Sequence, residues 1–155
     1  MTHAAILVTG MSGVGKSTAL AELARRGFTT VDTDYGPWIH VVDGEPLWHE
    51  PLIDALLDRP RKTPLFVQGT VVNQGRFYDR FDAVVLLSAP TDVLFDRLAN
   101  RTTNPFGKTA AERQRVIADI AAVEPLLRQS ATHEVDTNRP VSDVVDTLVS
   151  IAAGS

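Results

Sequence analysis

With 155 residues, 44% of them hydrophobic and 22% charged, the chain has the length and composition of one globular domain able to bury a sizeable core, which excludes a fibrous or disordered protein. A formal net charge of −4 gives no electrostatic reason to bind a nucleic-acid backbone, so a small-molecule partner is expected and a nucleic acid is not. The chain has no cysteine, which excludes disulfides and thiolate metal sites, and its four histidines show no metal-ligand spacing.

In chain order, Ala4 to Thr9 is a continuous apolar run ending at Gly10, the pattern of a parallel strand buried on both faces. The run is too short for a secretory signal, and no segment approaches the roughly 20 apolar residues that span a bilayer, so a cytoplasmic protein without membrane contact is expected. Lys16 to Arg26 carries Leu20, Leu23 and Ala24 on one helical face, with Gly27 where a C-terminal cap belongs. Phe28 to Val31 reads as a short strand ending at Asp32, Tyr35 to His49 as an irregular polar stretch, and Glu50 to Asp58 as a helix. Leu65 to Gln68 and Asp82 to Ser88 read as further strands. Thr91 to Asn100 reads as a helix whose first residues, Thr91 and Asp92, suit the unsatisfied N–H groups of a helix start.

Arg101 to Thr109 is again irregular, Ala110 to Gln129 is helical with an interruption near Pro125, and His133 to Val135 is a brief last strand. Pro140 to Ala152 repeats Val141, Val144, Val145, Leu148 and Ile151 at helical spacing, with Pro140 in the first turn. Strands alternating with helices predict an α/β fold, a single domain over residues 1–155 with a parallel sheet covered on both faces. Ligands then gather at the carboxyl ends of the strands.

Gly10, Met11, Ser12, Gly13, Val14, Gly15, Lys16, Ser17 and Thr18 form a G-x-x-x-x-G-K-(S/T) loop between a predicted strand and a predicted helix. Backbone N–H groups and the helix N-terminus of such a loop cradle phosphate oxygens, Lys16 bridges the outer phosphates, and the Ser17 hydroxyl binds Mg²⁺. The expected fold is therefore the three-layer α/β/α P-loop NTPase with a five-stranded parallel sheet, and the expected ligands are ATP and Mg²⁺. Asp32 and Asp34, one residue apart at the end of the second strand, can divide two tasks: Asp32 holds Mg²⁺ through water, and Asp34 orients and deprotonates an acceptor hydroxyl. A solvated strand end or a helix cap would use the same residues. No apolar strand ends in the acid that motors and many hydrolases use for metal and water, since LFVQGT ends in Gln68 and Gly69.

The loop, the Asp32-Thr33-Asp34 segment and the late run Val135-Asp136-Thr137-Asn138-Arg139-Pro140 together resemble shikimate kinase. The resemblance implies Mg²⁺ at Asp32, the acceptor hydroxyl at Asp34, and adenine against Asn138 and Arg139. The stretch SAPTDVLFDRLANR resembles the adenylate kinase helix that ends in R-x-x-x-R, which implies that Arg97 packs on the adenine and that Arg101 opens a short lid, about residues 101–109, reaching the phosphates with Lys108. Lys16, Asp34 and Arg101 are then the expected catalytic residues.

The acceptor half is less informative. A single Gly69 stands where shikimate kinases present three glycines, and Trp48-His49-Glu50 offers no arginine for an acid. Tyr35, Trp38 and Trp48 suit either stacking on an acceptor or core packing. Gln68, Asn73 and Gln74 suit either hydrogen bonds to a polar acceptor or turn formation and capping. Arg76, Arg80, Arg113, Arg115 and Arg128 are unranked candidates for gripping an anion. The reading with most support is an ATP-dependent phosphotransferase acting on a hydroxyl or phosphate of a small metabolite. A nucleoside or nucleotide kinase, a non-enzymatic ATP-binding regulatory module and a bare NTPase stand as alternatives.

Overall fold

The computed structural model describes residues 3–11, 13–99 and 110–154. In chain order the elements are β1 (Ala5–Gly10), α1 (Lys16–Arg25), β2 (Thr29–Asp32), β3 (Ile39–Val42), β4 (Glu45–Trp48), α2 (Glu50–Asp58), β5 (Leu65–Gln68), a 3-10 segment (Val72–Arg80), β6 (Ala83–Ser88), α3 (Thr91–Ala99), α4 (Ala110–Ser130), β7 (His133–Asp136) and α5 (Val141–Ala152). The expected lid at 101–109, with Arg101 and Lys108, and Ser12 of the loop lie outside the described residues.

Five strands pair in parallel in the order β2-β5-β1-β6-β7, which bears out the predicted sheet. The continuous apolar reading of β1 follows from its central place, because alternate side chains enter two different cores. Ile6 and Val8 pack on one face with Phe66, Val85 and Leu87 against Leu20 and Leu23 of α1 and Val144, Val145 and Leu148 of α5. Ala5 and Leu7 pack on the other face with Leu65 and Val67 against Ile53, Leu56 and Leu57 of α2, Phe77 of the 3-10 segment and Trp48. The result is the three-layer α/β/α arrangement expected from the sequence. Among the described residues, no helix is long and apolar enough to cross a membrane.

The local signals at the first crossover act as expected. Gly27 follows α1 at φ +95°, with its N–H bonded to the Ala24 carbonyl and the Phe28 N–H to the Leu23 carbonyl, the paired bonds of a Schellman motif. Helix α4 runs through Pro125 rather than breaking there. Val116 and Leu127, buried on either side of that proline, supply the packing that carries the helix past the missing N–H.

The stretch Tyr35 to His49 departs from the sequence reading. It holds a β-hairpin, β3 paired antiparallel with β4, and the two are joined by Asp43 and Gly44, both at positive φ. Such a two-residue Asp-Gly connection is a strong hairpin signal, but the flanks IHVV and EPLW do not alternate strictly and Pro46 weakens the second as a strand. Its anchor is Trp48, fully buried, whose indole N–H donates to Thr33 Oγ1 at 3.0 Å and whose ring meets Phe77 edge-on at 5.8 Å.

Gly69 lies directly beneath that anchor. A Cβ there would sit 2.8 Å from Thr33 Oγ1 and 2.9 Å from Trp48 Cζ2. Gly69→Ala is expected to destabilise the fold by about 1–3 kcal/mol, the usual penalty of overpacking, measured by urea unfolding. An unchanged midpoint would contradict this packing.

Candidate active site

The phosphate loop joins the end of β1 to the start of α1. At Gly10 the backbone turns at φ +152°, and a Cβ would stand 2.5 Å from the Leu87 carbonyl oxygen, so a larger residue cannot hold the loop against β6. Gly13 and Gly15 also lie at positive φ, and Val14 between them is fully buried in the α1-side core. Met11 packs against the same core, and its carbonyl accepts from the Val14 N–H. Helix α1 starts at Lys16 with glycine as its N-cap and without an acidic residue in its first turn, leaving its positive end open to an anion. Ser17 and Thr18 in that turn are exposed.

Lys16 Nζ donates to the Gly10 carbonyl at 2.5 Å and to Thr70 Oγ1 at 3.0 Å, while Thr70 Oγ1 donates back to the Gly10 carbonyl at 2.7 Å. The ammonium is thus held over the loop by the loop's own first residue and by the residue that follows β5. Thr70 escaped the sequence analysis because its proximity arises from β1 and β5 pairing, and no local pattern marks it.

The acidic pair sits beside this loop. Asp32 Oδ2 accepts from the Ser17 hydroxyl at 2.8 Å. Asp32 Oδ1 accepts from Gln68 Nε2 at 2.5 Å and from the Asp34 N–H at 3.1 Å, and Asp34 Oδ2 accepts from the same Gln68 Nε2 at 2.9 Å. The register explains the meeting: Asp32 is the partner of Gln68 across β2 and β5, so both project on the α1 side, while Thr33 turns to the opposite face and reaches Trp48. Asp34 is exposed to solvent and Gln68 is fully buried. Among the described residues the carbonyl Oε1 of Gln68 has no partner, an omission worth about 1–3 kcal/mol for a buried polar atom.

Ser17 and Asp32 present oxygen donors alone, the chemistry that suits Mg²⁺. Among the described residues no group of three or more His, Asp or Glu could form a protein cage for a metal. These residues fit a cation that keeps several waters and shares its shell with phosphate oxygens.

On the other side of the loop is a cavity of about 360 Å³ lined by Gly13, Gly15, Thr18, Arg97, Thr137 and Arg139 together with apolar side chains. Arg97 spans its wall. Nη1 donates to the carbonyls of Gly13 and Val14 at 3.2 and 3.0 Å and to Thr137 Oγ1 at 3.0 Å, and Nη2 donates to the Thr137 carbonyl at 2.6 Å. Arg97 therefore ties the loop backbone to the turn between β7 and α5. Arg139 lines the cavity and is steadied by the Asp136 carbonyl and Thr147 Oγ1. Asn138 is exposed, its N–H bonded to Asp136 Oδ1, and it does not line the cavity. Thr137, buried beside Arg97, does line it.

Several acceptor-side candidates are committed elsewhere. Trp48 is core and Trp38 packs against it, while Tyr35 is 72% exposed. Asn73 bonds the Trp48 backbone and Glu50, and Gln74 bonds the Val71 N–H, Thr9 Oγ1 and the Tyr78 hydroxyl. Capping and turn formation account for both amides. Arg76 pairs with Glu50, Arg80 with Asp54 and Asp58, and Arg128 with Glu124 and Glu134.

Comparison with known proteins agrees with this fold. The solved structure of shikimate kinase from Acinetobacter baumannii in complex with shikimate superposes with a TM-score of 0.71 at 21% identity, covering 99% of this chain and 94% of that one. A gluconokinase from Sinorhizobium meliloti 1021 gives 0.64 at 20% identity, covering 97% and 91%. A sugar kinase from Janibacter sp. HTCC2649 gives 0.59 at 21% identity, covering 97% and 94%. At this identity the likeness shows the shared P-loop fold. No curated protein matches the sequence. The family model for the AAA domain matches residues 6–118, most of the chain, and the protein belongs to that family.

Proposed function

We propose that the protein is a small-molecule kinase that moves the γ-phosphoryl group of ATP to a hydroxyl, or a phosphate, of a small metabolite. The observation that carries this reading is the second carboxylate. Asp32 alone would serve a nucleotide-bound cation, but Asp34, exposed and tied through Gln68 to the loop side, adds a proton acceptor where a second substrate can approach. The shikimate kinase, gluconokinase and sugar kinase folds support the same class.

In this reading the triphosphate lies along residues 10–18 and the base occupies the cavity between Arg97 and Arg139. Ser17 and Asp32 would hold Mg²⁺, which would supply charge neutralisation at the phosphate oxygens. Lys16 leaves the Gly10 carbonyl and Thr70 for the outer phosphates, exchanging neutral acceptors for charged ones. Asp34 accepts the proton of the acceptor hydroxyl as its oxygen bonds to the γ-phosphorus and the bond to the β-phosphate oxygen breaks. In a loose transition state the proton moves late, so positioning outweighs basicity. Arg101 and Lys108 are proposed to close over the transferring group and keep water out.

Asp34→Asn is expected to bind Mg²⁺-ATP within about twofold of the parent while transfer falls by about 10²-fold or more, the usual contribution of a positioned base. Calorimetry and transfer of labelled phosphate to a panel of polyols, hydroxy acids and nucleosides would measure both, and unchanged turnover would refute the role of Asp34. Lys16→Met is expected to weaken ATP by about tenfold or more, the loss of hydrogen bonds to charged phosphate oxygens. Undiminished affinity would remove the nucleotide from this loop.

A further inference from the structure

Gln68 occupies the end of the strand next to β1, where the sequence lacks the acid that many nucleotide hydrolases use. One nitrogen faces two carboxylates, at 2.5 Å from Asp32 and 2.9 Å from Asp34, and the carbonyl oxygen is buried with no partner among the described residues. That combination fixes which way the amide points. Turned over, it would set an oxygen against two carboxylates and lose both charge-assisted bonds, a worse outcome than one orphaned oxygen. The carboxylates thus orient the amide, and the amide, locked in a fully buried side chain, orients the carboxylates.

We propose that Gln68 is the positioning residue of this site, a neutral double donor that holds the metal-side Asp32 and the acceptor-side Asp34 in a fixed relation. The inference takes its catalytic meaning from the kinase reading, but the bridge is testable apart from it. Glutamate, asparagine and methionine each fail at the task. Glutamate would add a third negative charge, asparagine is one methylene too short to span both partners from the same backbone position, and methionine fills the space without donating. The bridge also couples the two halves of the site. Ser17 donates to Asp32, Asp32 accepts from Gln68, and Gln68 donates to Asp34, so a cation or phosphate arriving at Ser17 acts on the acceptor carboxylate through two shared groups.

The direct test is the two-dimensional ¹H–¹⁵N spectrum of the full chain, with the Gln68 amide assigned by its disappearance in Gln68→Met. Its two protons are expected to resonate apart from those of the other glutamines and to exchange slowly with water. Asp34→Asn should shift one proton and Asp32→Asn the other, and addition of Mg²⁺-ADP should move the pair. In transfer assays Gln68→Met is expected to lower kcat by about tenfold or more while KM for ATP stays within about twofold, and to cost less in the Asp34→Asn background than alone, because only the Asp32 half of the bridge is left to lose. A Gln68 amide resonating with the exposed glutamines and indifferent to Asp34→Asn would overturn the proposal, as would a Gln68→Met loss undiminished in the Asp34→Asn background. A bridge seen by NMR in a chain that phosphorylates no acceptor would overturn the kinase reading and reduce Gln68 to a structural tie, so the two failures are distinguishable.

Discussion

Everything at the site depends on the register of three parallel strands. β2, β5 and β1 pair so that Asp32, Gln68 and Val8 stand side by side, which carries residues from distant parts of the chain to the lip of one glycine loop. Because the pairing is parallel, side chains in register share a face. Asp32 and Gln68 turn toward α1 and meet Ser17, whereas Thr33 turns the other way and meets the indole of Trp48. Slipping the register by one residue would send the carboxylates into the α2-side core and the hydroxyl toward the phosphate loop. The hydrophobic pattern that fixes the register is the one that buries Ile6 and Val8 on one side and Ala5 and Leu7 on the other.

On that frame the loop is gripped from both ends. Thr70, following β5, bonds the Gly10 carbonyl and accepts from Lys16, and Arg97, from α3, bonds the carbonyls of Gly13 and Val14. Three of the four Arg97 bonds go to backbone oxygens, so the guanidinium braces the cavity wall as well as lining it. Tying these carbonyls fixes the loop backbone before a phosphate arrives. Preorganisation of this kind leaves little to rearrange when the ligand arrives beyond the lysine itself.

Much of this was legible in the sequence, and what was missed has physical reasons. The central strands, β1, β5 and β6, were legible because burial on both faces leaves an unbroken apolar run, and the loop because its glycines and lysine occur at fixed spacing between a strand and a helix. Asp32 and Asp34 stood out as a pair, but Gln68 drew notice mainly for the acid it replaces. Its bridging role arises from a strand pairing that no local pattern encodes. Thr70 was missed for the same reason. Asp43 and Gly44 signal the hairpin, but β3 and β4 lack strict alternation and Pro46 interrupts the second strand pattern. Asn138, carried over by resemblance, does not line the cavity, while its neighbours Thr137 and Arg139 do.

The most direct test of the account is a crystal structure of the full chain with Mg²⁺ and a non-hydrolysable ATP analogue. The account predicts the terminal phosphate on the residue 10–18 loop, Lys16 released from the Gly10 carbonyl and Thr70 to reach it, and the Asp34 carboxylate facing the terminal phosphorus across a space open to a second molecule. A terminal phosphate lying away from Asp34, with Lys16 still bound to Gly10 and Thr70, would contradict it.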